Sequence, residues 1–189
     1  MHTPPVTPSM IGAYGPWAAA LLGEGPARLS FLQPQWQDVG AWRTVARNRL
    51  QECLAAPPLP PTPAAECLEQ IAFDGLHIER LRWQLPYGPA TEAVLLKPSE
   101  ARGPLPGVLG LHCHGGVKFF GKEKITRLGE AQHPMMRAHQ AQYYGGAAWA
   151  NALAKRGYVV LVHDAFPFAS RRVRLSDVPE TMRNGLADP

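Results

Sequence analysis

Residues 107–116 read GVLGLHCHGG and residues 158–164 read YVVLVHD. Each contains an apolar run of strand length without polar alternation, as strands buried on both faces in a parallel sheet do. Between them, Gly146 to Arg156 (GAAWANALAKR) carries alanine-rich helix propensity, basic residues in its last turn and Gly157 as a stop. Strand, helix, strand is a βαβ unit, so the fold class is α/β. The polar stretch 117–142 is expected to be a loop.

Working back toward the N-terminus, Leu76 to Leu85 alternates apolar and polar residues. Tyr87-Gly88-Pro89 turns the chain, and Thr91 to Lys97 follows as a second strand, which together predict an antiparallel pair. Residues 75–189 thus form an α/β core, and 1–74 an extension. Eleven of the twenty prolines fall in residues 1–63, in a chain whose proline content is roughly twice the usual 5%. A short helix is expected around Trp17–Leu22. A longer one runs from about 38 to 55, capped by Asp38 and ended by the stiff PPLPPTP of residues 57–63.

The 189 residues are 46% hydrophobic and 18% charged, with a net charge of +4. That composition supports one globular core and excludes collagen, wholesale disorder and a long helical bundle. The basic residues form no stripe with aromatic or helical presentation, so nucleic acid is not an expected partner. Met10 to Leu22 is broken by Gly12, Gly15 and Pro16 and has no Lys or Arg before it, so neither a signal peptide nor a membrane span is expected. Three cysteines without CxxC spacing suit a reducing, cytoplasmic setting.

Ligands of open α/β sheets bind beyond the carboxyl ends of the parallel strands. The first such end is His112-Cys113-His114-Gly115-Gly116, where glycines leave backbone N–H groups open to an oxyanion. Lys118, Lys122 and Lys124 follow on a stretch that either lines a pocket mouth or faces solvent. Tyr143 and Tyr144 precede the helix and are candidates to offer a hydroxyl, or to pack its start. The second end is His163-Asp164. No cofactor motif is present. His112 and His114, with His133, His139, His163 and Asp164, leave open a rival reading as a metal-dependent hydrolase.

GVLGLHCHGGVKFFGKEK (107–124) and YYGGAAWANALAKRGYVVLVHDAFPFASRR (143–172) resemble the front half of an α/β-hydrolase. More narrowly, they resemble the bacterial esterases grouped with dienelactone hydrolases and acetyl xylan esterases. YGPWAAALLGEGPARLSFLQPQWQDVGAWRTVARNRL (14–50) resembles the N-terminal extension of those esterases. The resemblance implies an oxyanion loop at His112, His114, Gly115 and Gly116, candidate pocket residues Lys118, Tyr143, Tyr144 and Asp164, and a small ester as substrate of the full-length enzyme. It implies a structural or loop-ordering role for Asp164.

That family places its nucleophile in Gly-x-Ser-x-Gly after the next strand. Ser9, Ser30, Ser99, Ser170 and Ser176 all lack the flanking glycines. Cys113 precedes the crossover helix and reads as a packing residue. The expectation is therefore the N-terminal portion of an α/β-hydrolase sheet, inactive alone, with no triad member and no metal ligand assigned within it. A non-catalytic fragment that binds a partner is the remaining alternative. An unpaired strand edge after Val162 would then be a route to self-association.

Overall fold

The computed structural model describes residues 9–54 and 62–186, and the chain divides into two compact units at Pro58/Leu59. In the first unit, α1 (Gly15–Leu22) and α2 (Val39–Leu54) are the two α-helices among the described residues. Asp38 caps α2, accepting the Ala41 N–H at 2.6 Å, and the N–H groups of Ala41 and Gly40 hold its carboxyl below the usual aspartate range. Trp42 lies edge-on to Phe31 at 5.5 Å and donates its indole N–H to the Leu29 carbonyl. Most of the PPLPPTP stretch lies outside the described residues.

The second unit is built on one five-stranded sheet. Its strands are β1 (Glu66–Phe73), β2 (Leu76–Trp83), β3 (Thr91–Pro98), β4 (Gly107–Gly110) and β5 (Val159–His163), in the order β1-β2-β3-β5-β4. The pairs β1–β2, β2–β3 and β3–β5 are antiparallel, and β4 pairs parallel with β5. Register places Ile78, Leu96, Val160 and Val108 in one row across four strands. With Leu76, Val94 and Val162 they form the sheet side of the core, which Ile125, Ala150 and Ala154 cover. Leu109, on the other face, is exposed.

Four expectations need correction. The boundary at residue 74/75 falls inside the β1–β2 hairpin, because β1 is a largely exposed edge strand without the alternation that marks a buried face. The antiparallel part is accordingly three strands rather than two. The crossover holds two helices, α3 (Pro134–Tyr144) and α4 (Trp149–Ala154), where a loop to 142 and one helix from 146 were expected. Two of the three buried α3 residues are His139 and Gln140, so its inward face carries no apolar periodicity. Finally, β5 is paired on both sides, and the sheet edges are β1 and β4. Among the described residues no helix is long and apolar enough to cross a membrane.

Candidate active site

The loop leaving β4 and the segment leaving β5 emerge side by side, because the two strands are parallel neighbours. Asp164, immediately after β5, is fully buried. Its Oδ1 accepts the Lys122 N–H at 2.9 Å, and its Oδ2 accepts the Lys122 ammonium at 2.8 Å and the Ser170 hydroxyl at 2.7 Å. The Ser170 N–H adds a longer bond at 3.2 Å. Lys122 also meets Glu92 at 3.2 Å and Glu123 at 3.1 Å. Burial opposes the charge on Lys122, yet Glu123, Asp164 and Glu92 together outweigh it and hold its pKa above the ordinary lysine value. Gly121 makes this approach feasible, since a Cβ there would lie 2.3 Å from Asp164 Oδ1. A carboxylate with these four donors orders the 117–124 loop.

Lys124 does the same for the glycine loop. Its fully buried ammonium donates to the carbonyls of Gly115 at 2.9 Å and Cys113 at 3.3 Å, and lies 4.2 Å from the centre of the Phe168 ring. Burial lowers its pKa. Val117 N–H turns back to the same Gly115 carbonyl at 2.7 Å. The carbonyls are thus drawn inward. The N–H groups of His114, Gly115 and Gly116 donate to no group among the described residues. A Cβ on Gly115 would press on His139 at 3.2 Å, whereas one on Gly116 would meet open space.

His112 ties the two strand ends together. Its Nε2 accepts the Ala165 N–H at 3.1 Å, so Nδ1 carries the hydrogen it shares with the Cys113 carbonyl at 3.0 Å. Phe168 packs edge-on to the ring, and burial lowers its pKa. Cys113 Sγ lies 3.2 Å from His139 Nε2, whose pKa is lowered by burial and then by Lys124. Beside the same thiol, burial and Cys113 push Tyr144 up to about 12.

The sequence-predicted residues therefore separate. His112, Gly115, Gly116 and Asp164 meet at the two strand ends, and Tyr144 packs behind Cys113. Tyr143 is exposed, its ring tilted against that of His139 at 4.6 Å. His114 and Lys118 are exposed, Lys118 reaching over Phe168 at 4.8 Å. Lys122 and Lys124 do not face solvent; they are buried props, and Lys122 borders a hollow beside Glu92 and Glu123. The metal-hydrolase alternative gains no support from this arrangement. Both ring nitrogens of His112 are engaged, and no three His, Cys, Asp or Glu side chains among the described residues are placed to share an ion.

Three supporting residues gave no sequence signal. Gln140 donates to the carbonyls of Glu123 and Lys124 from α3. Asn151 on α4 pairs with both backbone groups of Arg127, at 2.8 and 2.7 Å. Ser170 bridges Asp164 to the Glu92 N–H. The non-glycine residues with positive φ among those described are Asp74, Ala169 and Asn184, so neither Cys113 nor any described serine sits in that kind of backbone strain.

No family model and no curated protein matches the chain. Solved structures do. A protein of Bacteroides fragilis assigned as an acetyl xylan esterase superposes with a TM-score of 0.61 at 20% identity, covering 87% of this chain and 40% of its own. A glucuronoyl esterase from Solibacter usitatus gives 0.47 at 17% identity, covering 82% and 44%, and a methylesterase gives 0.47 at 18%, covering 79% and 30%. The chain thus spans less than half the length of each. At such identities the likeness is one of fold, and it rests on the first of the three, part of whose fold this chain shares.

Proposed function

We propose that this chain supplies the oxyanion-stabilising half of a carboxylic-ester hydrolase working by serine-type acyl transfer. The observation that carries the reading is the 114–116 loop at the carboxyl end of β4. Its N–H groups are unengaged while Lys124 and Val117 draw in the Gly115 carbonyl. Unengaged N–H groups held in place before reaction are what stabilises a developing oxyanion. The resemblance to dienelactone hydrolases and acetyl xylan esterases supports the same chemistry. The serine, acid and histidine are then assigned outside residues 1–189, which are expected to turn over no ester by themselves. Three free cysteines suit a cytoplasmic setting.

The test uses the whole reading frame containing residues 1–189, with p-nitrophenyl acetate as substrate and a fluorophosphonate as serine probe. Gly116→Pro deletes one unengaged N–H and should lower kcat by about 100-fold or more with little change in KM. The wild-type protein should label once, on a serine outside residues 1–189. Stoichiometric labelling of the 189-residue chain alone would refute the assignment.

A second reading, as a partner-binding module, draws on the outer edge of β4. Among the described residues that edge has no strand beside it, and Leu109 and, just past the strand, Leu111 are exposed. Light scattering separates the two: self-association of the chain alone favours the module, a stable monomer the hydrolase part.

A further inference from the structure

Cys113 opens the glycine loop, and its neighbours are not the apolar groups that a packing cysteine would have. The residue is half-buried, with Sγ 3.2 Å from His139 Nε2. The Tyr144 hydroxyl reaches the same thiol. His139 is buried on α3, with the rings of Tyr143 and Tyr144 against its own. A Cβ on Gly115 would meet both Sγ, at 3.4 Å, and His139 Cε1, at 3.2 Å, so thiol and imidazole together abut the loop.

The other two free cysteines lack this setting. Cys53 and Cys67 are exposed, and among the described residues neither has an imidazole within hydrogen-bond distance. Cys67 lies on β1, and β4, which leads into Cys113, is the opposite edge of the sheet. Four strand spacings, about 19 Å, separate those edges, which is too far for a disulfide between Cys67 and Cys113.

A thiol facing a neutral imidazole can lose its proton as its sulfur attacks. Burial and then Lys124 disfavour the charged form of His139, so Nε2 is open to that proton in the tautomer with its hydrogen on Nδ1. Tyr144, pushed up to about 12, keeps its hydrogen and is a donor to an oxygen placed on the sulfur. Half-burial against these rings and Gly115 favours a small reagent over a bulky one.

We propose that Cys113 is a site of reversible oxidation by hydrogen peroxide, and that the sulfenic acid formed there switches off the adjoining glycine loop. Sγ attacks one peroxide oxygen, so that an S–O bond forms and the O–O bond breaks. The thiol proton passes through His139 to the departing hydroxide, which leaves as water. Sulfur is oxidised by two electrons and the peroxide is reduced. An external thiol then restores Cys113 through a mixed disulfide. The added oxygen has no room on the line between Sγ and His139 Nε2, so the imidazole and Gly115 must shift. The oxidation is independent of the hydrolase reading; its effect on turnover rests on that reading.

The test treats the 189-residue chain with hydrogen peroxide and dimedone, and follows each cysteine by peptide mass mapping. Cys113 should be labelled at least fivefold faster than Cys67 in the native chain, and at the same rate as Cys67 in 8 M urea. His139→Gln should slow Cys113 at least fivefold and leave Cys67 unchanged. Equal native rates, a preference that survives urea, or no effect of His139→Gln in a folded chain overturns the proposal. In the whole reading frame, peroxide should lower p-nitrophenyl acetate turnover at least tenfold, and dithiothreitol should restore it. Cys113→Ala should limit that loss to less than twofold. Oxidation of Cys113 with turnover unchanged overturns the switch. Selective oxidation in a reading frame that hydrolyses no ester defeats the hydrolase reading alone. Ester hydrolysis with Cys113 inert to peroxide defeats this one alone.

Discussion

The ammonium of Lys124 donates to the carbonyl oxygen of Gly115 at 2.9 Å from a position with no solvent exposure. A buried cation thereby fixes which way the peptide units of the glycine loop face. The orientation of the 114–116 N–H groups is a consequence of that bond and of the Val117 turn.

Lys124→Met keeps most of the side-chain volume and removes the donor. The Gly115 and Cys113 carbonyls then lose a charged donor and keep only the Val117 N–H and the His112 Nδ1–H, and the loss should be about 1–3 kcal/mol in a urea titration. In the full reading frame, ester turnover should fall with it. Unchanged stability would show that the loop is held by other means.

Asp164 and Lys122 should behave as a coupled pair. Asp164→Asn leaves a buried ammonium without its best acceptor and should cost about 3 kcal/mol. Lys122→Met should cost a comparable amount, and the double variant clearly less than the sum. Because the folded pKa of Lys122 lies above its ordinary 10.5, its contribution is complete below that pH and is lost as pH rises through the folded value. A double-mutant cycle with additive losses would contradict the pairing.

Acid should destabilise the chain through His112 and His139. Burial lowers both folded pKa values below the ordinary 6.5, so between those values the unfolded chain binds more protons than the native one. Stability then falls as pH drops below 6.5. Urea midpoints measured between pH 7 and pH 5 should show this decline, and His112→Gln with His139→Gln should flatten it. A decline of equal slope in that double variant would locate the effect elsewhere.

Glycines in the loop should differ sharply in tolerance. Gly121→Ala forces a methyl to within 2.3 Å of Asp164 Oδ1 and should cost about 1–3 kcal/mol or more. Gly116→Ala points into open space and should stay within about 0.5 kcal/mol of wild type. Thermal melts of the two variants side by side decide this.

What was legible in the sequence follows the physics of each signal. Unmixed apolar runs marked β4 and β5, although neither is buried on both faces: Leu109 is exposed, and only Val160 and Val162 of β5 are fully buried. The Asp38 cap and helical spacing marked α2. The β1 edge and α3 were not legible, because exposed Glu66 to Gln70 and buried His139 and Gln140 invert the usual inside-out pattern. At the site, the HGG motif was readable from glycine chemistry. The props beneath it were not: Lys122 and Lys124 look like a solvated run until the partners 42 and 9 residues away are in place.

The position of β5 has a bearing on synthesis. It is the last strand to leave the ribosome among the five, yet it is inserted between β3 and β4. Until residues 159–163 are available, β4 has no neighbour, and the β1–β2–β3 hairpins can form without it. Nascent chains halted before residue 158 would therefore expose two apolar strand edges at once, the form in which chaperones and aggregates compete for a newly made sheet.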